Sequence, residues 1–335
     1  MTLLAELSPP LEHLRRRLLP ITRDQLMLLM AAINELFLGI DTYLAHNISG
    51  TIRPFEWIPI IFGPVAAALL LLAGLIALRR RPLASSVASV VLLASIVVGL
   101  LGAFFHWRRA LLPNALPGEQ ISVDLLVWAP PILGPLTFSL TGLLGLSAAW
   151  VEQPPDSGVL LLTGRRKLAL PYSKTQAYFF MVSMGSLATV ISSVLDHART
   201  GFVNPWLWLP TAVGVFATVV AAYLGALEGR RRADVAMFTA AMVLMIAVGV
   251  VGGVLHVLDD LTAAGAFVAE RFIRGAPFLA PLLFANMGSL GLFVLMGPED
   301  GKALGRRATD GAARAPNPLR PASIPTAPGM PIRQA

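Results

Sequence analysis

Four histidines at matched places pose the chemical question. His46, His106, His197 and His256 are four of the five histidines in the chain, and no cysteine accompanies them. A shift of 151 residues lays His46 on His197. A shift of 150 lays Gly99-x-x-Gly102-x-x-x-His106 on Gly249-x-x-Gly252-x-x-x-His256. Two imidazoles opposed across a helical bundle supply both axial ligands of a b-type haem. Gly102 and Gly99 lie four and seven residues before His106, on its own helix face, and Gly252 and Gly249 do the same for His256. A flat macrocycle beside a ligand needs a strip of helix without side chains, so these glycines join the histidines as candidate cofactor-binding residues. Glycine at such spacing also serves close packing of membrane helices with no cofactor at all. The pairs expected are His46 with His106 and His197 with His256, each holding one haem b, two per chain. Copper on the same imidazoles is the alternative metal. A hydrolytic zinc site fits poorly, because no carboxylate or thiolate completes the set.

Two carboxyls stand out beside the histidines. Glu35 falls near mid-membrane and Asp41 nearer the outer end of the same helix, while their counterparts in the second copy are Ser186 and Ser192. A carboxyl at that depth is costly and is read by default as functional, here in proton transfer or contact with a quinone. The competing reading for Glu35 is a protonated side chain hydrogen-bonded to Asn34 or a neighbouring helix. Asp41 can hold a histidine ring by a hydrogen bond. Thr42 and Ser193, four residues before His46 and His197, place small hydroxyls on the ligand face. Arg108-Arg109 in the first copy align with the stretch containing Asp259-Asp260 in the second, a charge match that would pair across the two copies or else stay solvated. His13, in a basic segment, reads as a solvated side chain.

The elements that position these groups follow from composition. The chain has 335 residues, 56% hydrophobic and only 13% charged, with a mean hydropathy of +0.70. Too little charge remains to cover a water-facing surface, so lipid is the solvent for most of the molecule. That makes a soluble enzyme, a nucleic-acid-binding domain and a disordered scaffold poor readings. The lack of cysteine excludes iron–sulfur clusters, thiolate nucleophiles, covalent haem attachment through CxxCH and disulfides. Eight apolar segments are expected to span a bilayer, near 26–45, 57–78, 84–106, 126–150, 176–196, 206–227, 235–256 and 276–297.

The duplication orders these spans. Pro54-x-x-Trp57-x-Pro59 recurs as Pro205-x-x-Trp208-x-Pro210, and Pro131-x-x-x-Pro135-x-x-Phe138 recurs from Pro277 through Pro281 to Phe284. Four spans per copy is an even number, so both copies enter from one side. The expected fold class is an all-α integral membrane protein, its eight transmembrane helices forming two tandem four-helix bundles of parallel topology. The divisions are a basic segment 1–24, repeat one at 25–150, a linker at 151–174, repeat two at 175–297 and a disordered tail at 298–335. The prolines of each fourth helix are expected to bend it and free carbonyls in its outer half.

Lysine and arginine set the orientation. Twenty of them fall in the segments on one side and six in the opposite loops, which puts both termini in the cytoplasm. The net charge of +7 is thereby a topology signal, not a sign of nucleic-acid binding. The first apolar stretch follows Arg15-Arg16-Arg17 and carries Asn34, Glu35 and Asp41, so no cleavable signal is expected. The expected location is a bacterial inner (plasma) membrane, with all four paired histidines at the outer face.

Two tandem four-helix bundles, each with an outer histidine pair, are similar in plan to the haem A synthase family. The resemblance covers the eight spans as architecture. No Glu-x-x-His-Arg motif stands at the histidines and the paired cysteines of many members are absent, so no catalytic residue is carried over. The function expected first is a bis-histidine haem b electron-transfer protein or subunit, with a quinol or an external redox protein as partner. The alternatives are a small-solute or metal transporter, in which broken helices gate outer histidines, and a structural subunit of a membrane complex.

Overall fold

The computed structural model describes residues 21–296 apart from 49, 78–79, 112–126, 129–130, 163–165, 263–264, 266 and 269. The tail, His13 and nearly all of the first segment lie outside these residues.

Each half starts with the same local signal. Thr22 accepts from the Gln25 backbone N–H while the Gln25 side chain accepts from the Thr22 N–H, and Ser173 and Gln176 repeat this capping box. These caps start α1 (Arg23–Asn47) and α5 (Lys174–Ala198). The other long helices are α2 (Trp57–Ala77), α3 (Arg81–Leu111), α6 (Trp208–Ala226) and α7 (Arg232–Thr262). A short 3₁₀ turn precedes α2 at Pro54–Glu56 and α6 at Pro205–Leu207, where the repeated Pro-x-x-Trp motif falls. These six segments are long and apolar enough to cross a membrane.

The fourth helix of each half is shorter than expected. α4 is Leu133–Ala149 and α9 is Leu279–Val294, at 17 and 16 residues, where the sequence suggested spans of 126–150 and 276–297. The prolines explain the difference. Pro135 and Pro281 occupy the third position of their helices, in the first turn, where a missing N–H costs nothing because that group has no intrahelical acceptor. They therefore begin a helix, and do not bend a longer one.

In the first half α1 packs on α2, α2 on α3, α3 on α4, and α4 closes onto α1. In the second, α5, α6, α7 and α9 repeat that cycle. The halves meet where α4 packs on α5 and α9 on α1. A four-residue helix, α8 (Arg271–Arg274), touches α7 and α1.

The protein is helical, with one small sheet outside the helices. The linker holds an antiparallel three-stranded sheet of β1 (Val151–Glu152), β2 (Val159–Leu161) and β3 (Lys167–Ala169), with Val151 opposite Leu161 and Leu160 opposite Leu168. Leu160 is its buried apolar anchor.

Candidate functional site: the paired histidines

His46 and His106 come together. Their ring centroids are 6.0 Å apart with the planes at 70°. All four paired histidines are half-buried. His197 and His256 are close enough for their charges to interact.

The backbone holds the rings by Nδ1. His106 Nδ1 donates to the Pro131 carbonyl at 2.9 Å and His256 Nδ1 to the Pro277 carbonyl at 3.2 Å. In a continuing helix these carbonyls would accept from residues 135 and 281, but both are proline and have no N–H. Each Pro-x-x-x-Pro thus leaves a carbonyl for the histidine of the helix before it. His46 Nδ1 donates to the Thr42 carbonyl at 2.8 Å, whereas the Thr42 hydroxyl turns back to the Leu38 carbonyl. His197 Nδ1 lies 3.3 Å from the Ser193 hydroxyl. A carbonyl can only accept, so Nδ1 carries a proton in His46, His106 and His256. Metal-binding histidines are commonly oriented in this way.

The glycines face the fourth helices. A side chain at Gly99 would strike Ser139 and the Pro135 carbonyl, and at Gly102 the Pro135 ring, 2.7 Å from its Cβ. Gly249 meets Ala285 and the Pro281 carbonyl, and Gly252 the Pro281 ring at 2.9 Å. The strip that sequence reading kept for a macrocycle is where α4 and α9 approach α3 and α7.

Glu35 is fully buried within the first half, hydrogen-bonded to Ser95 of α3. Its partner is therefore a neighbouring helix. Asp41 is near enough to Asp196 of α5 for the carboxylates to interact. The charges after the third helices do not pair across the halves in the way weighed above. Arg109 sits 3.6 Å from Glu56 of its own half, and Asp260 accepts from the Ala276 N–H at 2.9 Å within its own.

Sequence reading missed a second polar assembly at the opposite end of the helices. Arg23, Asp24, Lys174 and Tyr178 are all buried there. Asp24 accepts from Lys174 Nζ, from Arg23 Nε at 3.3 Å and from the Tyr178 hydroxyl at 3.1 Å. Arg23 also donates to Thr175 at 2.9 Å and lies 4.9 Å above the Tyr178 ring. Glu152 of β1 accepts from the Lys174 N–H at 2.8 Å, which ties the linker sheet to the start of α5. A signal existed: the 151-residue shift that aligns the capping boxes also lays Arg23-Asp24 on Lys174-Thr175.

Compared with known protein families, curated proteins and solved structures, the chain matches none.

Proposed function

We propose that the chain is a membrane electron-transfer protein, or a subunit of one, whose histidine pairs each ligate a b-type haem at the outer face. In this reading all eight apolar helices span the bilayer as two tandem four-helix bundles with cytoplasmic termini, in a bacterial inner membrane. The α1–α4 and α5–α9 packing cycles and the arginine–lysine asymmetry support that arrangement.

The observation that carries the reading is the His46–His106 separation. The two ring centroids are 6.0 Å apart, a separation at which both imidazoles could hold one iron or copper ion. Among the described residues no three or more histidine, cysteine, aspartate or glutamate side chains group as a metal site. Two protein ligands suit haem, whose macrocycle brings the other four. The glycines do not contribute to the fit, since α4 and α9 fill their faces, so a macrocycle has to extend from another side of each ring pair. That filled face favours a bare copper ion as the second reading. Haem would supply one-electron chemistry; the chain's part would be to fix the imidazoles through Thr42, Pro131 and Pro277. With both pairs at the outer face, electrons would pass laterally between a quinol and an external redox protein, not across the bilayer.

Pyridine haemochrome assay of the full-length protein, purified from cells supplied with haem precursor, tests the reading. Two haems b per chain are expected. Stoichiometric copper without haem would install the second reading.

A further inference from the structure

We propose that the two histidine pairs are unequal sites, the first set to take a metal centre as it stands and the second gated by Phe202. This rests on the reading that the pairs ligate a metal, and it concerns which pair fills first.

The pairs differ although their helices correspond. His46 meets His106 ring to ring at 6.0 Å. Among the described residues the ring packed against His197 is not His256 but Phe202, at 6.1 Å with the planes at 57°. The anchors differ too. His46 Nδ1 donates to the Thr42 carbonyl at 2.8 Å, whereas His197 Nδ1 has the Ser193 hydroxyl at 3.3 Å. A long contact to a rotating hydroxyl fixes a ring less firmly than a short bond to a backbone carbonyl. The His197 ring is thus oriented by Phe202, where the His46 ring is oriented by the backbone and by His106.

Phe202 reaches this place on a strained backbone. The turn that ends α5 satisfies its carbonyls locally. The Thr200 N–H and hydroxyl donate to the His197 carbonyl at 3.1 and 2.8 Å, and the Gly201 N–H to the Ala198 carbonyl at 3.0 Å. Gly201 is left-handed at φ +66°, and so is Phe202 at φ +51°. Glycine adopts that region without strain, but the Cβ of phenylalanine makes it unfavourable.

The first half is the internal control. Gly50, at φ +78°, stands where Gly201 does, and Thr51, in the place of Phe202, stays out of the left-handed region. A second left-handed residue is therefore not needed to end the helix. What the strained backbone achieves is the position of the Phe202 ring, stacked on Trp208 at 4.2 Å with 17° between the planes and set against His197. Trp57, the counterpart of Trp208, has a threonine at residue 51 in place of that ring.

Strain held at a contact with a candidate ligand is what points to a gate. For both imidazoles of the second pair to hold one metal centre, the His197 ring has to turn from Phe202 toward His256. The lost ring contact is offset in part by release of the left-handed backbone. The apparent affinity of the second pair is its intrinsic affinity multiplied by the fraction of molecules in which Phe202 has moved. The first pair carries no such factor.

The test is a titration of the full-length protein, purified free of metal and haem. Haemin is followed by its Soret absorbance, and copper(II) in a parallel titration by electron paramagnetic resonance. Two classes of site are expected, the second weaker by roughly tenfold or more. His256→Ala should abolish the weaker class and His106→Ala the tighter. Phe202→Ala should strengthen the weaker class by roughly tenfold or more and leave the tighter one unchanged, whereas losing a merely structural aromatic would weaken it. Phe202→Gly, which keeps the turn without its strain, should do the same even if the alanine variant folds poorly. Equal classes in wild type, a weaker class that belongs to His46 and His106, or no gain in either Phe202 variant would overturn the proposal. A folded protein that binds neither probe at either pair would overturn the reading of the pairs as metal sites, and this inference with it.

Discussion

The α3–α4 joint of the first half and the α7–α9 joint of the second are assembled from corresponding contacts. Gly142 lies against the Leu92 carbonyl and Ile96, and Gly288 against the Met242 carbonyl and Ile246. Gly102 meets the ring of Pro135, and Gly252 that of Pro281. Pro131 and Pro277 each give a carbonyl to a histidine. What differs is the polar content between those contacts, since Glu35, Ser95 and Ser139 have no polar equivalent except Ser186, whose hydroxyl is buried without a partner. The comparison separates two roles that one sequence pattern mixes. Glycine and proline set how closely backbones approach, and the carboxyl and hydroxyls are additions that one copy carries.

The joint at the capping-box end, between α1 and α5, breaks the likeness most sharply and should show the largest effect. Asp24 is buried with Arg23 and Lys174, so Asp24→Ala leaves two cations without their anion and should cost about 3–5 kcal/mol. Its counterpart Thr175 accepts from Arg23 and donates to Asp156 at 2.9 Å, and Thr175→Ala should cost about 1 kcal/mol. Unfolding of both variants in detergent checks this; equal losses would mean that the charges are not the joint's main tie. At the glycine seams the halves should agree. Gly99→Leu and Gly249→Leu each force a side chain against backbone and should each lose about 1–3 kcal/mol. A loss confined to one of them, seen by the same melts, would show that the joints are not equivalent scaffolds. The smallest contrast is polar. Ser95→Ala removes Glu35's hydrogen-bond partner and should cost about 1–3 kcal/mol, whereas Ser186→Ala should be near neutral. Matching costs would remove the distinction between a polar and an apolar seam.

The helical membrane character and the approach of His46 to His106 were legible from the chain alone, because hydropathy and a repeated spacing report them directly. The glycines were legible as a strip, but not by what fills it. Gly-x-x-Gly looks the same before a macrocycle and before a proline-bearing helix, and only the position of Pro135 and Pro281 in space decides. The short fourth helices were missed because apolar residues before Leu133 and Leu279 carry the same hydropathy as helix. Lys174 and Asp24 were not singled out, since their burial depends on α1 and α5 meeting, a contact between residues 150 apart. The linker sheet escaped for a related reason: strands of two and three residues leave too short a pattern to show a period.

The histidine pairs are the central claim, and optical absorption of the full-length protein with its single-histidine variants tests them most directly. Wild type purified after haem supplementation should show a Soret band and reduced b-type bands. His106→Ala and His256→Ala should each remove about half of that absorbance, each half keeping its own site. A wild type that stays colourless under those conditions, or absorbance unchanged in both variants, would contradict the account.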